Sequence, residues 1–359
     1  MTIRITWRRT LLAIVAAALL GLGIGWSGAI NVGASTGHWA VTDWFLHWVM
    51  RKSVRTHAAL TVDAPATDTT GLASAAGHFA GQCSVCHGAP GERPSPVMQA
   101  ATPPAPDLAV NARDWTDEQL FWILKHGVKF SGMPAWPVQD RDDEVRRMAA
   151  FVRRLPAMTP ETYRALAYGP GGRINTGTVR QVADAVPDCA RCHGADGQGR
   201  GPDVPVLAGQ KAAYLEAALR DYATGRRHSG VMQSAAARID APTMRGLATL
   251  YAAMPRPVVP AAATARDATG DLADAARIVG RGISSLNVPA CASCHGMRGR
   301  ADYPRLDGQK AAYLAARLHA FRGEKGVVDA RKSPDIMPTI ARRLPEASID
   351  DLARYYATR

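Results

Sequence analysis

The sequence predicts an all-α chain, and three observations predict it. Apolar residues fall at helical spacing in segments such as Asp142–Leu155, no stretch has the period-2 alternation of a half-buried strand, and a seven-residue run recurs one small domain later. The 359 residues suit two or three domains of roughly 100 residues each. Hydrophobic residues at 47% and charged residues at 21% exclude a disordered chain and a polytopic membrane protein. The net charge of +12 favours acidic partners or an anionic membrane surface.

The first element is apolar. From Thr10 to Thr42 no residue is charged when His38 is neutral, and Thr10–Ile30 has the length a bilayer-spanning helix requires. Arg4, Arg8 and Arg9 precede it, which keeps the first residues cytoplasmic and exports the rest. A signal peptide cleaved near Val32-Gly33-Ala34 is the competing reading. Retention is favoured because the run is longer than a signal core and its surroundings suit a membrane surface. Trp26, Trp39, Trp44 and Trp48 fit an interfacial belt, and Trp39–Met50 forms an amphipathic helix ending in Arg51-Lys52. That second helix could instead dock on another subunit. Residues 1–58 are thus expected to be a transmembrane anchor plus an interfacial helix.

The later helices follow from local signals. Leu72–Gln82 is an Ala-rich helix. Thr116-Asp117-Glu118-Gln119 is a capping-box start, and Gly127 is the matching stop. Asp142–Leu155 closes the first domain. Gln210–Tyr222 and Gln309–Phe321 are equivalent middle helices, and Thr243–Ala253 and Ser348–Thr358 are closing helices. Asp63–Gly71, Tyr168–Gly172 and Pro255–Gly270 read as linkers.

The chemistry lies in the cysteines. All six fall in three copies of C-x-x-C-H: Cys83, Cys86, His87; Cys189, Cys192, His193; and Cys291, Cys294, His295. Two thiols one helical turn apart can add to the two vinyl groups of a haem, and the next histidine then lies under the iron. A single copy could be a redox pair or half of a zinc site. Three copies about 100 residues apart, using every cysteine, point to three covalently bound haem c groups. Aromatic residues make up only 6%, and a haem supplies the flat apolar body that such small cores otherwise take from aromatic side chains.

On these motifs residues 72–359 resemble class I c-type cytochromes in three tandem domains, 71–165, 176–256 and 271–359. Gly209-Gln210-Lys211-Ala212-Ala213-Tyr214-Leu215 recurs as Gly308-Gln309-Lys310-Ala311-Ala312-Tyr313-Leu314, which makes the last two domains tandem copies similar to dihaem cytochromes. The first domain lacks this run and is the more distant module. The resemblance implies a second axial ligand well after each histidine, and Met133, Met232 and Met337 follow by 46, 39 and 42 residues. His126 competes with Met133 and His228 with Met232. Met98, Met148, Met158, Met244, Met254 and Met297 read as packing or surface. The resemblance also implies a proline carbonyl accepting the Nδ1 proton of each histidine, for which Pro106, Pro205 and Pro304 are the candidates. Tyr214 and Tyr313 are either haem-facing or ordinary half-buried helix tyrosines.

The implied function is a membrane-anchored trihaem cytochrome c. It would sit in the inner membrane as a single-pass protein, with a cytoplasmic N-terminus and periplasmic haem domains. It would relay electrons between a dehydrogenase or quinol-oxidising complex and a terminal acceptor such as an oxidase or soluble cytochrome, and no nucleic acid is expected as partner. The likeness extends to trihaem cytochrome subunits of membrane dehydrogenases, from which the long N-terminal span departs. No dinucleotide fingerprint or P-loop supplies a catalytic domain, so the chain is not expected to be an enzyme. Two other classes are a peroxidase-like haem enzyme with one open site and a docking or assembly subunit of a respiratory complex.

Overall fold

The computed structural model describes residues 6–63, 69–170, 180–256, 272–296, 299–323 and 336–359. Most of the expected linkers Asp63–Gly71 and Pro255–Gly270, part of Tyr168–Gly172, and Met297 lie outside the described residues. No sheet forms among the described residues; only the isolated bridges Ala89–Glu92 and Ile283–Val288 do.

Helix α1 runs Trp7–Trp26, and all its side chains are exposed. It starts and stops a few residues earlier than Thr10–Ile30, because Ser27 caps it and Gly28 turns the chain at φ +71°. Among the described residues it is the one helix long and apolar enough to cross a bilayer. Helix α2 spans Ala40–Thr61, well beyond the expected end at Met50. Its two halves differ. Trp44, Phe45 and Trp48 are exposed in the first, whereas Val54 and Ala58 are buried in the second. These two residues are one helical turn apart, and α2 packs there against the first domain. His57 stacks on Trp122 at 5.7 Å, and the Arg51 guanidinium lies 5.1 Å over Trp115. The amphipathic helix is therefore only in part a free surface.

The first domain contains α3 (Leu72–Gln82), α4 (Ser84–His87), α5 (Pro96–Gln99), α6 (Leu108–Asn111), α7 (Asp117–His126), α8 (Asp142–Arg154) and α9 (Pro160–Tyr168). Phe79, Phe151 and Tyr163 meet in its core, with the two phenyl rings 5.4 Å apart. Both halves of the Thr116–Gln119 capping box form. Gly127 ends α7 at φ +65°, where a Cβ would lie 2.6 Å from Met133 O. Only glycine lets the Met133 segment fold back onto the helix end so closely.

The second domain holds α10 (Val182–His193), α11 (Ala212–Ala223), α12 (Gly230–Ala236) and α13 (Ala241–Ala253). The third holds α14 (Ala273–Arg281), α15 (Ala292–His295), α16 (Ala311–Arg322), α17 (Ile336–Arg343) and α18 (Ile349–Ala357). Their cores correspond: Leu215, Leu247 and Tyr251 in one, Leu314, Leu352 and Tyr356 in the other. The middle helices begin two residues later than expected. Lys211 and Lys310 are extended, which leaves Gln210 and Gln309 outside the helices and free to reach sideways.

Candidate functional site

Each C-x-x-C-H motif ends a short helical segment, so its two thiols share one face. All six cysteines are free of disulfides. His87 Nδ1 lies 2.8 Å from Pro106 O, His193 Nδ1 3.2 Å from Pro205 O, and His295 Nδ1 2.9 Å from Pro304 O. A carbonyl only accepts, so Nδ1 donates in each ring and Nε2 keeps its lone pair. Burial lowers the pKa of all three histidines, that of His193 to about 4, which keeps the rings neutral. A neutral imidazole with a free Nε2 is the form that binds a metal.

One cavity of about 680 Å³ joins the second and third motifs. Cys189, Cys192, His193 and Met232 line it from the second domain; Cys291, Cys294, His295 and Met337 line it from the third. Thr70, Ser74, Arg141, Asp143, Glu144 and Arg147 of the first domain reach its rim. Met133 and Cys83 both pack against the first domain's core. Met133 lies in a loop, whereas Met232 and Met337 lie in the first turns of α12 and α17. Ser229 causes this in the second domain, because its side chain caps the Met232 N–H.

The competing histidines are engaged elsewhere. His228 Nδ1 lies 2.7 Å from Asp140 Oδ2. His126 packs against Trp122 with ring centroids 5.0 Å apart and the rings tilted, and burial lowers its pKa. Met148 is fully buried and Met244 nearly so.

Residues 180–251 and 284–358 match the family described as cytochrome c, and residues 71–152 match the family described as cytochrome c oxidase, cbb3-type, subunit III. A thiosulfate dehydrogenase electron acceptor of Stutzerimonas stutzeri (strain A1501) is 36% identical over 173 residues, covering 47% of this chain and 77% of that protein. The chain belongs to the class I cytochrome c family. A second thiosulfate dehydrogenase electron acceptor, of Thiomonas intermedia (strain K12), is 32% identical to this cytochrome and covers 55% of it and 91% of itself. Cytochrome c4 of Azotobacter vinelandii is also 32% identical, with 50% and 91% covered. This cytochrome is a multihaem electron carrier related to both groups.

The residues present fit haem c. In the last two domains, paired free thiols, a neutral imidazole and a thioether converge on one cavity with a largely apolar lining. The cytochrome also has residues at its site that sequence reasoning missed. Gln309 Nε2 donates to Val206 O (3.0 Å), and Val206 N–H donates to Gln309 Oε1 (2.8 Å). Gln210 makes the same pair with Arg305, at 2.9 and 2.8 Å. Lys310 Nζ donates to Gly199 O and Gly201 O, and Lys211 Nζ to Gly299 O and Arg300 O. The available signal was the identical Gln-Lys pair in both copies of the repeat. Arg227 was missed as well; it donates to the hydroxyls of Tyr214 (3.2 Å) and Tyr313 (3.0 Å) and so bridges the two domains.

Proposed function

We propose that this cytochrome is a membrane-anchored, periplasm-facing trihaem relay. It takes electrons from a dehydrogenase of the thiosulfate-oxidising type and passes them to a terminal acceptor such as an oxidase. The observation that carries this reading is the single cavity joining the second and third motifs, since short separation between centres is what a relay needs. The donor is inferred from the relatives whose names say that they accept electrons from thiosulfate dehydrogenase. The oxidase side is inferred from the likeness of residues 71–152 to an oxidase subunit. Helix α1 supports the anchor by its length and apolar surface.

When bound, each haem c supplies an iron that alternates between ferric and ferrous states with little ligand change. The chain's own residues hold and tune it. Cys83 and Cys86, Cys189 and Cys192, and Cys291 and Cys294 would form the thioethers. His87, His193 and His295 would give the first axial nitrogen, and Met133, Met232 and Met337 the second axial sulfur, which favours the ferrous state. Pro106, Pro205 and Pro304 orient the imidazoles through their carbonyls. The proposed domains are residues 71–165, 176–256 and 271–359.

The test mixes the oxidised full-length protein, in detergent, with thiosulfate and a thiosulfate dehydrogenase. Reduction of all three haems that requires both components is the expected result. No reduction under these conditions, from a protein that ascorbate reduces fully, would remove the proposed donor. Mature protein that begins after Ala34 and fractionates away from the membrane would remove the anchor.

A further inference from the structure

Each glutamine of the repeated run reaches across the domain boundary to an amide that already serves a histidine. The Pro205–Val206 peptide accepts from His193 Nδ1 at its oxygen and donates its N–H to Gln309 Oε1 at 2.8 Å. The Pro304–Arg305 peptide accepts from His295 Nδ1 and donates its N–H to Gln210 Oε1, also at 2.8 Å. One peptide plane thus joins an imidazole of one domain to a glutamine of the other, and the arrangement occurs twice with the roles exchanged.

The orientation of both glutamines is fixed by their partners. Gln309 Oε1 also accepts from Lys310 N–H, and its Nε2 faces the Val206 carbonyl. Gln210 Oε1 also accepts from Lys211 N–H, and its Nε2 faces the Arg305 carbonyl. Exchanging oxygen and nitrogen in either side chain would set donors against donors. Both glutamines are 6% exposed, so these bonds act in a poorly screened interior.

We propose that Gln309 and Gln210 are positioning residues that tune the histidine of the opposite domain. The proposal rests on the reading that His193 and His295 each ligate a haem iron. Hydrogen bonds at the two ends of one amide reinforce each other, because accepting the N–H proton moves electron density toward the carbonyl oxygen. A stronger carbonyl acceptor draws the Nδ1 proton and makes Nε2 a better donor. Better donation favours ferric iron and lowers the reduction potential. Each of the two domains therefore holds down the potential of the other's site. His87 stands outside this control, because the two glutamines bond to the peptides that follow Pro205 and Pro304.

The experiment uses Gln309→Met and Gln210→Met in the full-length haem-loaded protein, with potentiometric titration and site-resolved NMR of the reduced state. In Gln309→Met the second site is expected to become easier to reduce, by about twofold to tenfold in the equilibrium constant. Its His193 Nδ1 proton resonance moves upfield, and the first and third sites stay unchanged. In Gln210→Met the third site shifts in the same direction and the first and second do not. A simple loosening of the interface would move both sites in both variants, and that pattern overturns the proposal. So do titrations that superimpose on the wild type. A wild-type protein that carries fewer than three covalent haems would instead overturn the underlying reading, whatever the variants do.

Discussion

The second and third domains meet through glutamine amides and lysines that act from both sides, with Arg227 as a one-sided addition, whereas the first and second domains meet through one set of charged side chains used once. At the first boundary Glu144 is 7% exposed and accepts from Trp136 Nε1 (3.2 Å) in its own domain and from Gly230 N–H (2.7 Å) and the Ser229 hydroxyl in the next. Arg141 pairs with Glu144 and donates to His228 O, Ser74 donates to Asp203, and Arg191 donates to Gly77 O. Duplication accounts for the contrast. Two copies of one sequence present the same groups to each other, and a reciprocal contact is what identical partners can form. The first domain is a different module, so its contact is heterologous and depends on groups that titrate.

The largest way to break this contrast is Glu144→Gln. The substitution keeps the shape but turns an amide group toward donors that need an acceptor. Loss of about 3 kcal/mol from first-domain unfolding is expected, as for a buried charge network deprived of one partner. All eight tryptophans lie between residues 7 and 136, so urea unfolding followed by tryptophan fluorescence reports on this part of the molecule. An unchanged midpoint would mean that the carboxylate does not hold the boundary.

Acid should separate the two boundaries almost as strongly. His78 is buried beside Trp136, and burial together with the charge of Arg191 pushes its pKa from 6.5 to about 4. Between these values the unfolded chain takes up a proton that the folded chain refuses, so stability falls as pH falls through that window. The linked loss is roughly 3 kcal/mol by the time pH 4 is reached. Asp143 acts at lower pH. Burial would raise its pKa, but the hydrogen bonds and charge of Arg141 and the charge of Arg147 outweigh this and hold it below 3.8. Its contribution is present above 3.8 and fades below. His78→Phe should make fluorescence-detected stability less steep between pH 6.5 and 4 and leave the loss below that in place. A slope identical to the wild type would exclude His78 as its source.

Local signals and long-range ones differed in how far they could be read. The helix limits at Thr116 and Gly127 were legible because capping and glycine stops act within one turn. The cysteine motifs were legible because thioether chemistry requires a fixed spacing. The true length of α2 was not, since Val54 and Ala58 acquire a partner only when the first domain folds against them. The helical setting of Met232 depends on Ser229, whose hydroxyl also bonds to Glu144, 85 residues away. Gln210 and Gln309 were visible as a repeat, yet their targets lie 95 and 103 residues distant, which no periodicity encodes.

The smallest effect compares two glycines in equivalent helices. Gly77 lies inside α3, which leads to the first motif, and Gly280 lies near the end of α14, which leads to the third. Neither has a positive φ, so alanine is locally acceptable at both and improves helix propensity by up to about 1 kcal/mol. Their surroundings differ. A Cβ on Gly77 would lie 2.8 Å from Cys192 Sγ of the second domain, whereas a Cβ on Gly280 meets nothing within 4 Å. Overpacking of this kind costs about 1–3 kcal/mol, enough to cancel or exceed the propensity gain. Gly280→Ala should therefore raise the thermal midpoint slightly, and Gly77→Ala should lower it by a similar amount. If both variants were stabilised alike, α3 would not be pressed against the second motif and the first boundary would be looser than its charged contacts imply.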